Sequence, residues 1–99
     1  MDLISMMRVF VSVADKGSMA SAGRDLNLSP SVMSKNLSAL EDRLGARLLT
    51  RTTRSVSLTE VGHAYLDRAR RIIGDVDEAE AAVSSCLLYT SDAADERNS

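Results

Sequence analysis

The chain has 99 residues, enough for one modest core, with 44% apolar and 26% charged residues, the balance of a folded protein rather than a disordered one. Aromatic residues make up only 3%, so Leu, Val, Ile, Met and Ala must build the core; one Pro and five Gly exclude long coil or collagen-like structure. The net charge of −2 argues against nucleic acid as a partner, but its distribution argues the reverse. Residues 16–54 carry seven basic side chains against three acidic ones, whereas residues 72–99 carry one against seven.

Residues 3–14 predict a first helix, with Leu3, Met6, Met7, Phe10, Val13 and Ala14 on one stripe and Gly17 suited to follow its last turn. Ser18 is a cap for a second helix, Met19 to Leu26, whose small residues Ala20, Ser21, Ala22 and Gly23 permit close approach by another helix. After Asn27-Leu28-Ser29, Ser29 caps a third helix with Pro30 at its first position, where the missing N–H costs nothing. Met33, Leu37, Leu40 and Leu44 form its expected buried stripe and Gly45 its end. Residues 47–50 and 55–58 predict a two-stranded hairpin with a basic tip, too short to stand without the helices.

Thr59 followed by Glu60 starts a long fourth helix. Tyr65, Ala69, Ile72, Val76, Ala79 and Val83 lie 4, 3, 4, 3 and 4 residues apart, a heptad seam read as a dimer interface in preference to packing on its own domain. Gly74 weakens this helix. From Ser84 the pattern is lost, and residues 84–99 are expected to be an unpatterned, frayed or artefactual tail. The expected domains are thus 1–58, 59–83 and the tail 84–99.

No apolar run approaches the roughly 18 residues of a membrane span, and the N-terminus lacks the basic start of a signal peptide, so no membrane association and a cytoplasmic location are expected. Cys86 stands alone and His63 is the one histidine, which leaves no metal set. Glu41 and Asp42 sit beside Arg43 without a suitably placed second acid, so a solvated or ion-paired role is expected of them. No nucleophile motif or glycine-rich phosphate loop is present; no cofactor and no enzymatic activity are expected.

Three helices, a hairpin and a long following helix describe a mainly α fold, a winged helix-turn-helix with a linker helix. The third helix offers Ser31, Ser34, Lys35, Ser38 and Asp42 opposite its apolar stripe. Small hydroxyls let a helix sit deep in a major groove and still reach base edges. Ser29, Pro30 and Ser31 set its N-terminus, with free N–H groups, where a phosphate could dock. Arg51 and Arg54 suit the DNA backbone or the neighbouring minor groove, although Arg51 has a second reading as an ion-paired brace of the hairpin.

At these residues the chain resembles the DNA-binding domain and linker helix of LysR-type bacterial transcriptional regulators. The resemblance covers residues 3–83. It rests on Phe10, Gly17-Ser18, Ala22, Leu26, Ser29, Ser34, Leu37, Leu40-Glu41, Leu44-Gly45, Leu48-Leu49, Arg51, Arg54, Leu58-Thr59 and Gly62, in unbroken order. Family members often carry Gln where Pro30 stands, which removes a glutamine base contact, and Phe where Met19 stands, a change that adaptable Met absorbs. The resemblance implies binding of a double-stranded DNA operator by dimers or tetramers paired through the linker helix. By position, Pro30, Ser31, Ser34 and Lys35 would face the groove, Ser34 and Lys35 being the base-edge candidates. Ser18, Ser29, Ser38 and Arg54 would meet phosphate or groove edge, as would Arg51. It also implies a further domain that binds a small-molecule co-inducer, for which the 16 residues after Val83 leave no room; a truncated or frameshifted reading frame is the expectation. A second function fits the same sequence: a protein-interaction fragment that captures full-length relatives through the linker helix.

Overall fold

The computed structural model describes the backbone of residues 2–51 and 56–98, and the side chains over the same span short of Arg51 and of residues 88–98. The order of elements is α1 (Leu3–Lys16), α2 (Met19–Leu26), α3 (Pro30–Leu44), β1 (Leu49–Arg51), β2 (Val56–Leu58) and α4 (Glu60–Asn98). The strands pair antiparallel, Leu49 opposite Leu58 and Arg51 opposite Val56. Each shows three described residues, β1 running Leu49–Arg51 where the sequence predicts 47–50, and the basic tip with Arg54, like the predicted strand residue Ser55, lies outside the described residues.

Each helix boundary has a local cause. Asp2 caps α1 by accepting from the Ser5 N–H at 2.7 Å, and Gly17, at φ 69°, ends it with its N–H on the Val13 carbonyl at 2.8 Å. That places the end at Lys16, two residues beyond the expected one. Ser18 Oγ accepts from Ser21 N and Ser29 Oγ from Val32 N, which start α2 and α3 as the sequence predicts. Asn27 takes the left-handed conformation at φ 58°, and Leu28 N then donates back to the Gly23 carbonyl at 2.8 Å. A Cβ on Gly23 would lie 2.9 Å from Leu28 O, so only glycine allows this tight passage between α2 and α3.

The core gathers one face of each element: Met6, Val9, Phe10 and Val13 from α1, Ala22 from α2, Met33, Leu37 and Leu40 from α3, Leu48 and Leu49 from the wing, and Leu66 from α4. Leu44 is a correction to the expected stripe, since it is 39% exposed. The chain turns back at Gly45, and Leu48, Leu49 and the buried Glu41 occupy the space beside the last turn of α3 instead. The backbone is helical from Ser84 to Asn98, and no Pro or Gly after Gly74 interrupts it.

Two ion pairs lay α1 antiparallel against α4. Arg8 on α1 bonds Asp77 on α4 at 2.7 Å, and Asp15 on α1 bonds Arg70 on α4. Among the described residues, no helix is long and apolar enough to cross a membrane.

Candidate nucleic-acid interface

Positions i, i+4 and i+7 of a helix share a face. Ser31, Lys35 and Ser38 follow that spacing on α3, and all three are exposed, as is Asp42 one turn further on. Ser34 sits half-buried at the edge of the same face. Their backs are Met33, Leu37 and Leu40, fully buried, so the outer row is carried on a helix that cannot rotate without unpacking the core. Apart from Lys35, whose long stem can reach outward, the side chains of the row are short and set little bulk between the α3 backbone and an approaching surface.

The N-terminus of α3 is built around Ser29 and Pro30, both exposed. Ser29 Oγ is engaged as the cap, accepting from Val32 N at 3.3 Å, and a hydroxyl that accepts can still donate its own proton. Ser18 has the same duty on α2: half-buried, its oxygen accepts from Ser21 N at 3.2 Å. Both serines predicted as ligand contacts are therefore helix caps first. Arg51 closes β1, and only its backbone is described; Arg54 lies outside the described residues.

The expected seam on α4 divides in two. Tyr65 and Ala69 turn into their own domain: Ala69 is fully buried, and the Tyr65 ring lies 5.7 Å from that of Phe10, tilted 50°. Burial pushes the Tyr65 phenol pKa up, against a smaller lowering by Arg43. Ile72 at 44% and Val83 at 59% exposure, with exposed Ala79 and half-buried Val76, leave an apolar row outside the core. Its first two members are thus accounted for within the chain and the later ones are not.

Sequence reasoning missed two polar side chains under the surface. Asn36 is buried and donates from Nδ2 to the Val32 carbonyl at 2.9 Å. Glu41 was expected in solvent or in an ion pair; it is only 9% exposed, which removes the solvated role, and Oε2 accepts from Leu48 N at 2.8 Å and from Leu49 N at 3.4 Å. The signal available was its place one turn after Leu37, where the stripe predicts an apolar residue.

Comparison with known proteins gives this arrangement relatives. A family model for bacterial regulatory helix-turn-helix proteins of the lysR family matches residues 4–63. An HTH-type transcriptional regulator of Xanthomonas campestris is 45% identical over 75 residues, 76% of this chain and 22% of its own length. An HTH-type transcriptional repressor of Pseudomonas aeruginosa is 43% identical over 83 residues, 84% of this chain and 26% of its own. The chain thus spans about a quarter of the length of these curated relatives. Among solved structures, the CbnR DNA-binding domain in complex with DNA has a TM-score of 0.78 at 33% identity, covering 88% of this chain and 99% of that one. The BenM DNA-binding domain on catB site 1 DNA has a TM-score of 0.80 at 28% identity, covering 88% and 97%. With the family match spanning α1 through the start of α4, the chain belongs to the LysR family of bacterial regulatory helix-turn-helix proteins.

Proposed function

We propose that this chain is the operator-binding end of a LysR-type transcriptional regulator and works as a dimer. One observation carries the reading: the exposed Ser31, Lys35 and Ser38 row stands on a scaffold that overlays, over 88% of its length, a related domain solved on DNA. In this reading α3 enters the major groove. Ser34 and Lys35 reach base edges, with Pro30 and Ser31 against the groove wall. Ser18, Ser29 and Ser38 donate to phosphates, and Arg51 and Arg54 carry the wing to the backbone or the adjacent minor groove. The apolar row from Ile72 through Val76 and Ala79 to Val83 pairs two copies, with tetramers open to the full-length regulator, so that two half-sites are read together. The chain acts in the cytoplasm as a regulator rather than an enzyme, and no residue of it is assigned to a co-inducer.

The test is selection of duplexes from a random library by the wild-type chain, followed by binding measurements across a salt series. Lys35→Ala is expected to narrow the gap between selected and unselected duplexes by about fivefold or more. Arg54→Ala is expected to weaken both alike and to reduce the salt slope by about one. Equal, salt-insensitive binding by the wild type and both variants would refute the reading.

A further inference from the structure

Four backbone N–H groups in the passage from α3 to the wing end on a single residue. The carbonyl of Glu41 accepts from Gly45 N at 2.8 Å and from Ala46 N at 3.2 Å, and its side-chain Oε2 accepts from Leu48 N at 2.8 Å and Leu49 N at 3.4 Å. The first two bonds are the ordinary closure of a helix at a glycine. The other two are not, because they bring a buried carboxylate to the backbone at the foot of β1. A charged acceptor makes shorter and stronger hydrogen bonds than a neutral one, and a buried charge held this way resists displacement. The far side of Leu48 is held as well: its carbonyl accepts from Thr59 N at 3.0 Å, and Thr59 Oγ1 donates to the Arg47 carbonyl at 2.6 Å.

Resting on the DNA-binding reading above, we propose that Glu41 is a positioning residue that fixes the distance between α3 and the wing, so that both engage one duplex at once. Its exposed neighbours Ser38 and Asp42 stand on the same helix. The carboxylate faces inward to the strand that leads to the basic tip, and Glu41 therefore touches no DNA and acts through the wing. The wing shows three described residues in each strand and depends on its ties to the helices, of which the buried Leu48 and Leu49, the Thr59 bonds and the Glu41 carboxylate are those at its foot. Without the Glu41 tie, the foot of β1 is held less tightly against α3, and a wing arginine contributes to binding only in the fraction of time it is in reach.

The experiment is a set of binding measurements on the full chain with the library-selected duplex, using Glu41→Gln and Glu41→Ala, each alone and combined with Arg54→Ala or with Lys35→Ala. Circular dichroism establishes which variants fold. Arg54→Ala should weaken the wild type by about fivefold to tenfold, and that factor should shrink by at least twofold on the Glu41→Gln background, whose neutral amide carbonyl is a weaker acceptor, and further on Glu41→Ala. The cost of Lys35→Ala should be the same on every background, because Lys35 sits on α3 itself; a general loosening of the fold would alter both costs together. If Glu41→Ala does not fold, the comparison on Glu41→Gln decides. An Arg54→Ala cost that is unchanged on every folded background overturns the inference while leaving the DNA-binding reading intact. A wild-type chain that binds no duplex overturns both.

Discussion

Gly62 and Gly74 lie on the same helix, and the same substitution at each should act with opposite sign. A Cβ at Gly62 would collide with the Leu48 carbonyl oxygen and fall 3.0 Å from its carbon, both backbone atoms that no rotamer change can move aside. Accommodating it means driving the first turn of α4 away from β1, at an overpacking cost of about 1–3 kcal/mol. The displaced carbonyl also strains the Thr59 N–Leu48 O bond, worth about 1 kcal/mol. Alanine returns about 1 kcal/mol in helix propensity. The balance for Gly62→Ala is a loss of about 1–3 kcal/mol, or a fall in Tm of roughly 5–20 °C for a domain of this size. Gly74 is exposed and has nothing within 4 Å of the added carbon, so Gly74→Ala keeps the propensity gain of about 0.5–1 kcal/mol. Urea and thermal unfolding followed by circular dichroism, at one fixed protein concentration because association shifts Tm, measure both. A Gly62→Ala protein as stable as wild type would refute the close approach of α4 to the wing.

The α1–α4 ion pair supplies a charge-swap test. Arg8→Asp and Asp77→Arg should each cost up to about 1 kcal/mol by unfolding, and the double variant should recover most of it, as the pair is exposed and reciprocal in space. Tyr65 supplies a pH dependence. Its folded pKa is raised above the ordinary value of 10.0 by burial, so its contribution is fully present below that value and is lost as pH rises through the folded pKa. Stability should therefore decline in the alkaline range above pH 10, and Tyr65→Phe should remove that part of the decline in urea titrations. Replacing both Ile72 and Val83 by Glu should raise the dimer dissociation constant at least tenfold by sedimentation equilibrium while leaving the helical signal unchanged. An unchanged constant would place the dimer contact elsewhere.

The helix starts and stops were readable in the sequence because they depend on single residues. Ser18, Ser29 and Gly45 act on their own backbone neighbours, and the structure has them doing so. The α3 row was readable for a similar reason, since a 3.6-residue period assigns faces without knowledge of partners. What escaped depends on where the chain goes next. Leu44 continues the period correctly, yet the turn at Gly45 takes the core away from it, and Glu41 is buried because two N–H groups arrive from seven and eight residues downstream. The seam on α4 shows the same limit: its spacing is uniform, but Phe10 claims Tyr65 for the domain, a contact that no local pattern announces. Residues 84–98 lack a seam and are helical all the same, because side-chain periodicity reports packing, whereas a helix needs a backbone without interruptions.

The reciprocal pairs Arg8–Asp77 and Asp15–Arg70 give the molecule a mechanical character. They grip α4 over its first half, and beyond Asp77 another 21 residues carry the helix on, in a molecule 64 Å long and 25 Å across. At 1.5 Å per residue that overhang is about 30 Å, so a tilt of about 6° at the grip moves its far end by about 3 Å. The protein is a head on a long helical stalk, with charges of both signs paired in both directions between them. Each pair is exposed and contributes at most about 1 kcal/mol, so the buried Leu66 and Ala69 hold the root of the stalk to the head, and the pairs set the direction in which it leaves.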